Sequence, residues 1–269
     1  LLPVVHGSAD FALEVRKALL QNRWDCLAVP LPPSFREDVL AAVRELPRIH
    51  AIVQEEEDDS SWSYVPCDPC QPVIMALRIA LEEYMAVEFI DRETAEYEPE
   101  VFLAPDSYAL KKTTLDRYCA AVLPSLPPPL ADSQLEARIF SMAEELRRLR
   151  GEYKTVLALC NLAHWPWLRE AYRARKTAPA VESVYAPVQT FPVQERSLAF
   201  VLGELPYITY LYEKARQNLL PDENLVLDGV KELLLEAREE WLRRFTPLHN
   251  WATPQRLQVL LQYVRNLTL

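Results

Sequence analysis

Short apolar runs alternate with amphipathic segments at the start of the chain. Leu1–Val5 is an apolar run that predicts a buried first strand. In Ser8–Asn22, apolar residues recur every three or four positions, which predicts a helix with Ser8 as its N-cap. Asp25–Leu31 predicts a second strand. A strand, a helix and a strand in close succession form a βαβ unit, so we expect a parallel sheet with a right-handed crossover.

The same alternation continues to about residue 175. Further strands are predicted at His50–Gln54, Ser63–Val65, Ala86–Asp91 and Lys154–Cys160. Further helices are predicted at Ser34–Leu46, Pro72–Tyr84, Ser107–Leu123, Asp132–Arg150 and Trp165–Arg175. Ser34 and Asp132 are expected to cap two of these helices, and Gly151 to end the one that begins at Asp132. Because Lys154–Cys160 is an almost unbroken apolar run, we expect it at the centre of the sheet.

The pattern changes after about Lys176. Val184–Val193 mixes polar and apolar residues with two prolines. Helices are predicted at Ser197–Asn218, Leu225–Phe245 and Pro254–Leu267. The expected fold class is therefore α/β, with a central, largely parallel sheet flanked by helices and a mostly α-helical C-terminal portion. We expect an α/β domain over residues 1–176 and a helical portion over residues 177–269 that can pack on the same domain.

Composition and charge narrow the classes of partner. The 269 residues include 39 acidic and 29 basic side chains, for a net charge of −10. This argues against nucleic acid and against an anionic membrane as partners, because both select basic surfaces. No apolar run approaches the length of a membrane span, no signal-peptide pattern opens the chain, and the five cysteines form no disulfide framework. These features predict a cytoplasmic protein whose partner is another protein or a small molecule.

Several familiar motifs are absent from the sequence or incomplete in it. With only 4 glycines, there is no glycine cradle for a nucleotide, and no Gly-x-Ser-x-Gly elbow of a typical α/β-hydrolase. Cys67 and Cys70 form a Cys-x-x-Cys pair. Zinc would need a second pair, and thioredoxin-type chemistry would need one reactive thiol at the start of a helix. A structural role is favoured, with redox and metal roles as alternatives.

Polar residues that follow the predicted strands are the candidates for chemistry. His6 and Asp10 follow the first strand, Arg36 follows the second, and His164 follows the late strand. Ligands bind at the carboxyl ends of strands in open α/β sheets, so these four side chains converge if the strands are neighbours. A histidine can act as a base near neutral pH or bind a metal, and an arginine can stabilise an oxyanion.

The start of the chain resembles the superfamily that includes erythromycin esterases, TraB-type proteins and ChaN-like proteins. In VVHGSADFALEVRKALLQNRWDCLAVPL, His6-Gly7-Ser8 matches the His-Gly part of an esterase-type Gly-Glu-x-x-His-Gly signature, and Phe11 and Arg16 fit the helix that follows. In the TraB-type pattern Gly-x-x-His, Gly7 aligns with the glycine and Asp10 with the histidine.

Two later segments extend this resemblance over roughly residues 1–175. The segment ARIFSMAEELRRLRGEYKTVLALCNLAHWPWL places Arg138, Met142 and His164 on family positions, and YVPCDPCQPVIMALRIALEEYMAVEFID is similar to the middle of the same domain. The resemblance implies an α/β domain whose site includes His6, His164, Asp10 and Arg138. Arg36, which follows the second predicted strand, completes the set of candidate site residues.

The sequence also departs from the family pattern. The glutamates that end the first and second strands fall on Pro3 and Pro30, and the glycine of the late Gly-x-x-His falls on Asn161. A histidine base without a carboxylate partner lacks the group that orients the imidazole and stabilises the imidazolium in a catalytic triad. A metal site would need about three ligands, which His6, His164 and either Asp10 or Asp68 would have to supply.

Two functions follow from these observations. The favoured hypothesis is a non-catalytic binding or assembly module with a degenerate active-site cleft and no cofactor. The alternative is a hydrolase of ester or peptide bonds, which uses His6 and His164, has Arg36 or Arg138 as electrophilic support, and in one version is assisted by a divalent metal. An apolar filling of the cleft would favour the module, whereas an open polar cleft with perturbed His or Asp groups would favour the enzyme.

Overall fold

A computed structural model describes residues 1–56, 61–100, 102–180, 187–217, 228–245 and 253–267. Its strands are β1 (Leu2–Val4), β2 (Cys26–Val29), β3 (His50–Glu55), β4 (Trp62–Cys67), β5 (Ala86–Phe89), β6 (Val156–Asn161) and β7 (Val188–Pro192). Its α-helices are α1 (Ala9–Gln21), α2 (Arg36–Arg44), α3 (Pro72–Glu82), α4 (Leu115–Val122), α5 (Gln134–Glu152), α6 (Trp165–Arg173), α7 (Leu198–Val201), α8 (Pro206–Gln217), α9 (Gly229–Phe245) and α10 (Pro254–Leu267).

The parallel sheet has the strand order β1-β6-β2-β5. β6 pairs with β1 on one side and with β2 on the other, so the predicted central strand does lie inside the sheet. Ser8 caps α1 as predicted, since its side chain accepts a hydrogen bond from the backbone N–H of Phe11 at 3.4 Å. The α/β class and the parallel sheet flanked by helices are therefore confirmed.

Helices cover both faces of the parallel sheet, which explains why every residue of β2 is apolar. Leu27 and Val29 belong to a core cluster that includes Phe11 of α1. The alternate residue Ala28 belongs to a second cluster with Met142 of α5. Successive residues of a strand point to opposite faces, so a strand buried on both sides has to be apolar throughout.

A second sheet is antiparallel, with the order β4-β3-β7. His50–Gln54 is a strand as predicted, but it pairs with β4 and β7 and does not extend the parallel sheet. β7 falls in the proline-containing stretch and was not predicted from the sequence. Proline cannot donate a ladder hydrogen bond, so it is tolerated at an edge, where Pro192 ends the strand opposite His50.

Several predicted helix boundaries are wrong for local reasons. Ser34 does not cap α2, because its backbone N–H and its hydroxyl both donate to Glu93, at 2.7 and 2.8 Å, within a 3₁₀ turn. The helix predicted from Ser107 begins instead as a 3₁₀ turn, and Thr114 caps α4. Gly151 does not end α5, which continues to Glu152.

The helix predicted over Ser197–Asn218 is interrupted. Leu202 takes an extended conformation after α7, and Pro206 begins α8 because proline suits the first turn of a helix. The ends of the predictions at Asn218 and at Leu225 lie outside the described residues. α9 begins at Gly229, and α10 spans the predicted Pro254–Leu267.

The C-terminal portion contacts the α/β domain through both polar and backbone groups. β7 pairs with β3, and Arg78 of α3 donates to Glu213 of α8 at 2.7 Å in a buried ion pair. Among the helices that the structure describes, none has the length and apolar composition of a membrane span.

Candidate functional site

A cavity of about 710 Å³ lies at the carboxyl ends of the four parallel strands. His6 follows β1, Pro30 follows β2, Asp91 follows β5 and His164 follows β6, and all four line it. The hairpin formed by β3 and β4 supplies other lining residues, which include Gln54, Trp62, Ser63, Tyr64 and Val65. The edge of the sheet that parallel topology marks as a ligand site is thus open and partly polar.

Arg138 and Asp91 form a buried, bidentate ion pair in this cavity. Arg138 Nε donates to Asp91 Oδ1 at 3.1 Å, and Nη2 donates to Oδ2 at 2.6 Å. Burial alone would lower the pKa of Arg138, but the carboxylates of Asp91 and Glu100 outweigh burial and raise it. The ring of Tyr97 lies 5.0 Å from the guanidinium, which adds a cation–π contact. Arg138 is therefore a permanently charged and tightly held group.

Glu100 joins this ion pair to His164. Its Oε1 accepts from Arg138 Nη1 at 3.3 Å, and its Oε2 lies 2.7 Å from His164 Nε2. The Glu100 side chain is 29 % exposed, whereas that of His164 is 7 % exposed. The result is a chain of contacts from Asp91 through Arg138 and Glu100 to His164, in which every charged group has a partner of opposite charge.

The contact with Glu100 determines which ring nitrogen of His164 carries the proton. A carboxylate accepts hydrogen bonds, so Nε2 carries the proton that it donates to Glu100. Nδ1 makes no hydrogen bond to any part of the chain that the structure describes, and the residue lines the cavity. In the neutral imidazole, Nδ1 therefore holds the free lone pair, which is the arrangement of a general base.

His6 reaches the same cavity from the end of β1. Its ring is accessible from the cavity, but the surrounding protein removes much of the water that would solvate a charged ring. This desolvation lowers the pKa of His6, a hydrogen bond with the side chain of Gln71 partly offsets it, and the positive charge of Arg138 lowers the pKa further. His6 is thus held in its neutral form.

Two contacts fix the backbone next to His6. Gly7 donates its N–H to Gln71 Oε1 at 3.1 Å, and Gly7 has a φ of +77°, which only glycine adopts easily. Gly203, between α7 and α8, lies against Gly7, so closely that a Cβ at Gly203 would be 2.3 Å from Gly7 Cα. Asp68 holds Gly203 in turn, by accepting its N–H at 2.9 Å.

The structure brings three of the five site residues from the sequence to the cavity and leaves two elsewhere. His6, Arg138 and His164 line it. Asp10 is outside the lining and lies 3.5 Å from Lys111, and burial raises the pKa of its carboxyl. Arg36 is also outside, because its Nη1 donates to the backbone carbonyl of Val87 at 2.5 Å.

Two carboxylates at the cavity were not among the site residues predicted from the sequence. Asp91 lies at the carboxyl end of β5, so the rule that selected His6 and His164 selects it too. Glu100 lies in an acidic loop that shows no periodicity, and no sequence signal singles it out. The sequence interpretation therefore missed both partners.

The cysteines and the proposed metal ligands are arranged differently from an active metal or redox site. All five cysteines are free and buried, and burial raises the pKa of Cys67 to about 12 and that of Cys70 well above its usual value. Asp68 accepts from the backbone N–H groups of Cys70 and Gly203. Within the described ranges, no group of three or more His, Cys, Asp and Glu side chains is placed to hold a metal ion.

Comparison with protein-family models, with curated proteins and with solved structures gives no match for this chain. The resemblance to erythromycin esterases, TraB-type and ChaN-like proteins stays a prediction from the motifs around His6 and His164.

Proposed function

We propose that this protein hydrolyses an ester or amide bond, with His164 as the general base and Glu100 as the carboxylate that orients it. The observation that carries the proposal is the 2.7 Å contact between Glu100 Oε2 and His164 Nε2 at the edge of a 710 Å³ cavity. A carboxylate on the far nitrogen of a histidine fixes its tautomer and stabilises the imidazolium that forms during the reaction.

The reaction needs only water and the substrate. Nδ1 of His164 takes a proton from a water molecule, whose oxygen forms a bond to the carbonyl carbon. The carbon–oxygen or carbon–nitrogen bond to the leaving group then breaks, and the imidazolium of His164 returns the proton to that leaving group. Glu100 keeps its charge throughout, and Arg138 holds Glu100 in position through the contact of 3.3 Å.

His6 supports this step as a neutral partner. Because desolvation keeps its pKa low, it can accept or donate a hydrogen bond at the reacting centre without bringing a second positive charge next to Arg138. A charged His6 would compete with the imidazolium of His164 for stabilisation by the same carboxylates.

The test is a hydrolysis screen with esters of 4-nitrophenol and with a mixture of short peptides. We expect turnover by the purified protein, loss of most of it in His164→Ala and Glu100→Gln, and no loss in Glu98→Gln. Glu98 is an exposed carboxylate two positions away in the same loop, so it is a matched control for the charge change. Equal activity in all four proteins would reject the proposal.

A binding module is a second candidate, and one observation favours it. Pro30 and Asn161 line the cavity at the positions where the family resemblance places a glutamate and a glycine. If the protein only binds, a ligand will stabilise it in thermal denaturation, and that ligand will be recovered chemically unchanged after long incubation.

A further inference from the structure

The wall of the cavity that the antiparallel hairpin supplies presents two large aromatic side chains. Trp62 and Tyr64 of β4 line it and are 48 % and 54 % exposed. Phe35 and Leu31 line it from the segment that follows β2. Covering accessible aromatic surface removes apolar area from water and so stabilises a complex, which means that these side chains favour an apolar ligand. A volume of about 710 Å³ lies within the range of pockets that bind drug-sized molecules.

The charged groups around this cavity already have partners within the chain. Arg138 donates to Asp91 and to Glu100, as described above. Arg92, the other arginine in the lining, donates to the backbone carbonyls of Pro179 and Ala180, at 2.7 and 2.9 Å.

The acidic side chain of Glu56 also has hydrogen-bond partners within the chain. Glu56 lines the cavity and accepts from the hydroxyl of Ser61 at 3.0 Å and from that of Ser63. No lysine contributes to the lining in the described parts of the chain. A negatively charged ligand would thus meet two carboxylates in the lining, those of Glu56 and Asp91, and would have to draw an arginine away from its present acceptors.

We infer that the cavity selects an uncharged, predominantly apolar ligand and rejects anionic ones of the same shape. Transfer of an anion into this cavity removes its hydration, and both arginines of the lining would have to give up hydrogen bonds that they already make, which is unfavourable. The net charge of −10 acts in the same direction at long range. That the ligand carries a scissile ester or amide bond rests on the proposed function, whereas the selection against negative charge does not.

Two fluorescent probes with the same aromatic rings test the selection directly. N-phenyl-1-naphthylamine is uncharged, and 8-anilinonaphthalene-1-sulfonate carries an additional sulfonate. We expect saturable binding of the uncharged probe to the native protein, at least about tenfold tighter than binding of the sulfonate. Trp62→Ala should weaken binding of the uncharged probe by about tenfold or more. Phe200→Ala should leave it unchanged, because Phe200 is 84 % exposed and does not line the cavity.

Binding and hydrolysis are then separated with a matched pair of substrates. The hexanoate ester of 4-nitrophenol and its adipate monoester differ by a terminal carboxylate, and we expect the hexanoate to be the better substrate. Probe binding should persist in His164→Ala. Selective binding of the uncharged probe without hydrolysis of either ester would overturn the proposed function and leave the selectivity standing.

The opposite outcomes would overturn the selectivity. These are a sulfonate probe that binds as tightly as the uncharged one, an adipate monoester that reacts faster than the hexanoate, or binding that is absent or unaffected by Trp62→Ala. Faster reaction of the adipate would leave the hydrolase assignment intact, so the two proposals fail separately.

Discussion

Glu100 Oε2 lies 2.7 Å from His164 Nε2, although the two residues are 64 positions apart in the sequence. The pair is a carboxylate–imidazole contact that no motif in the sequence predicts. The carboxylate comes from the loop after β5, and its second oxygen contacts Arg138.

Removing the charge of Glu100 should affect the rate of hydrolysis more than substrate binding. We expect Glu100→Gln to lower kcat by roughly 10²-fold or more with a small change in KM, since general-base catalysis contributes about 10²–10⁴. Steady-state kinetics on the best ester of the screen measures this. An equal loss of kcat in the exposed control Glu98→Gln would show that the loss of a negative charge from this loop, and not the contact with His164, lowers the rate.

The buried ion pair between Asp91 and Arg138 should be costly to break. Their side chains are 3 % and 8 % exposed, so Asp91→Ala leaves a buried guanidinium without its bidentate partner. We expect the free energy of unfolding to fall by about 3–5 kcal/mol in urea titrations. Glu152→Ala, which breaks the surface pair with Arg148, should cost no more than about 1 kcal/mol. A similar cost for both variants would contradict the structure.

The low pKa of His6 predicts how stability depends on pH. Below its ordinary pKa of 6.5, His6 of the unfolded chain binds a proton that the folded protein does not bind. The free energy of unfolding therefore decreases as the pH falls from about 6.5 toward the lowered pKa of the folded state. Burial raises the pKa of Asp10, Asp68 and Glu204 in the folded protein, so these carboxyls bind protons more readily there than in the unfolded chain. Their contribution to the free energy of unfolding therefore increases as the pH falls through the acidic range, which is opposite to the effect of His6.

A comparison with His6→Gln isolates the contribution of this single histidine. The difference in unfolding free energy between the two proteins should change between pH 7 and pH 5.5, to the disadvantage of the native protein at the lower pH. Urea titrations at several pH values give this difference. Parallel curves would mean that His6 has an ordinary pKa.

The contact between Gly7 and Gly203 leaves no room for a side chain. A Cβ at Gly203 would be 2.5 Å from Gly7 O, which is backbone and cannot rotate away. Gly203→Ala should therefore destabilise the protein by about 1–3 kcal/mol, and it should also lower activity because the backbone next to His6 shifts. Gly151→Ala is the matched control. Apart from its chain neighbours and the backbone of its own helix, no described heavy atom lies within 4 Å of the added methyl group, and as an alanine within α5 it should stabilise the protein by about 0.5–1 kcal/mol. Thermal denaturation with an activity assay measures both.

The five cysteines should react with thiol reagents only after the protein unfolds. All are buried, and burial raises the pKa of Cys26 and Cys160 to about 12, as it does for Cys67. The thiolate is the reactive form, so labelling of the native protein should be slow and should accelerate in urea. Rapid labelling of Cys67 or Cys70 in native buffer would revive the redox interpretation of the Cys-x-x-Cys pair.

The sequence alone determined the elements whose burial follows a simple period. The predicted strands Asp25–Leu31 and Lys154–Cys160 are apolar from Cys26 and from Val156 onward because both faces of a parallel sheet are covered, and both contain strands of that sheet. The rule that ligands bind at the carboxyl ends of parallel strands also selected His6 and His164, which line one cavity.

Only the tertiary structure decided which side chains complete the site. Asp91 meets Arg138 across 47 positions, and Glu100 meets His164 across 64, and neither separation leaves a periodic trace in the sequence. β7 and Gly203 likewise come from the C-terminal portion and contact β3 and Gly7. A local hydrophobic pattern records which face of an element is buried. It carries no record of which distant polar group lies opposite, because the packing of the whole chain determines that pairing.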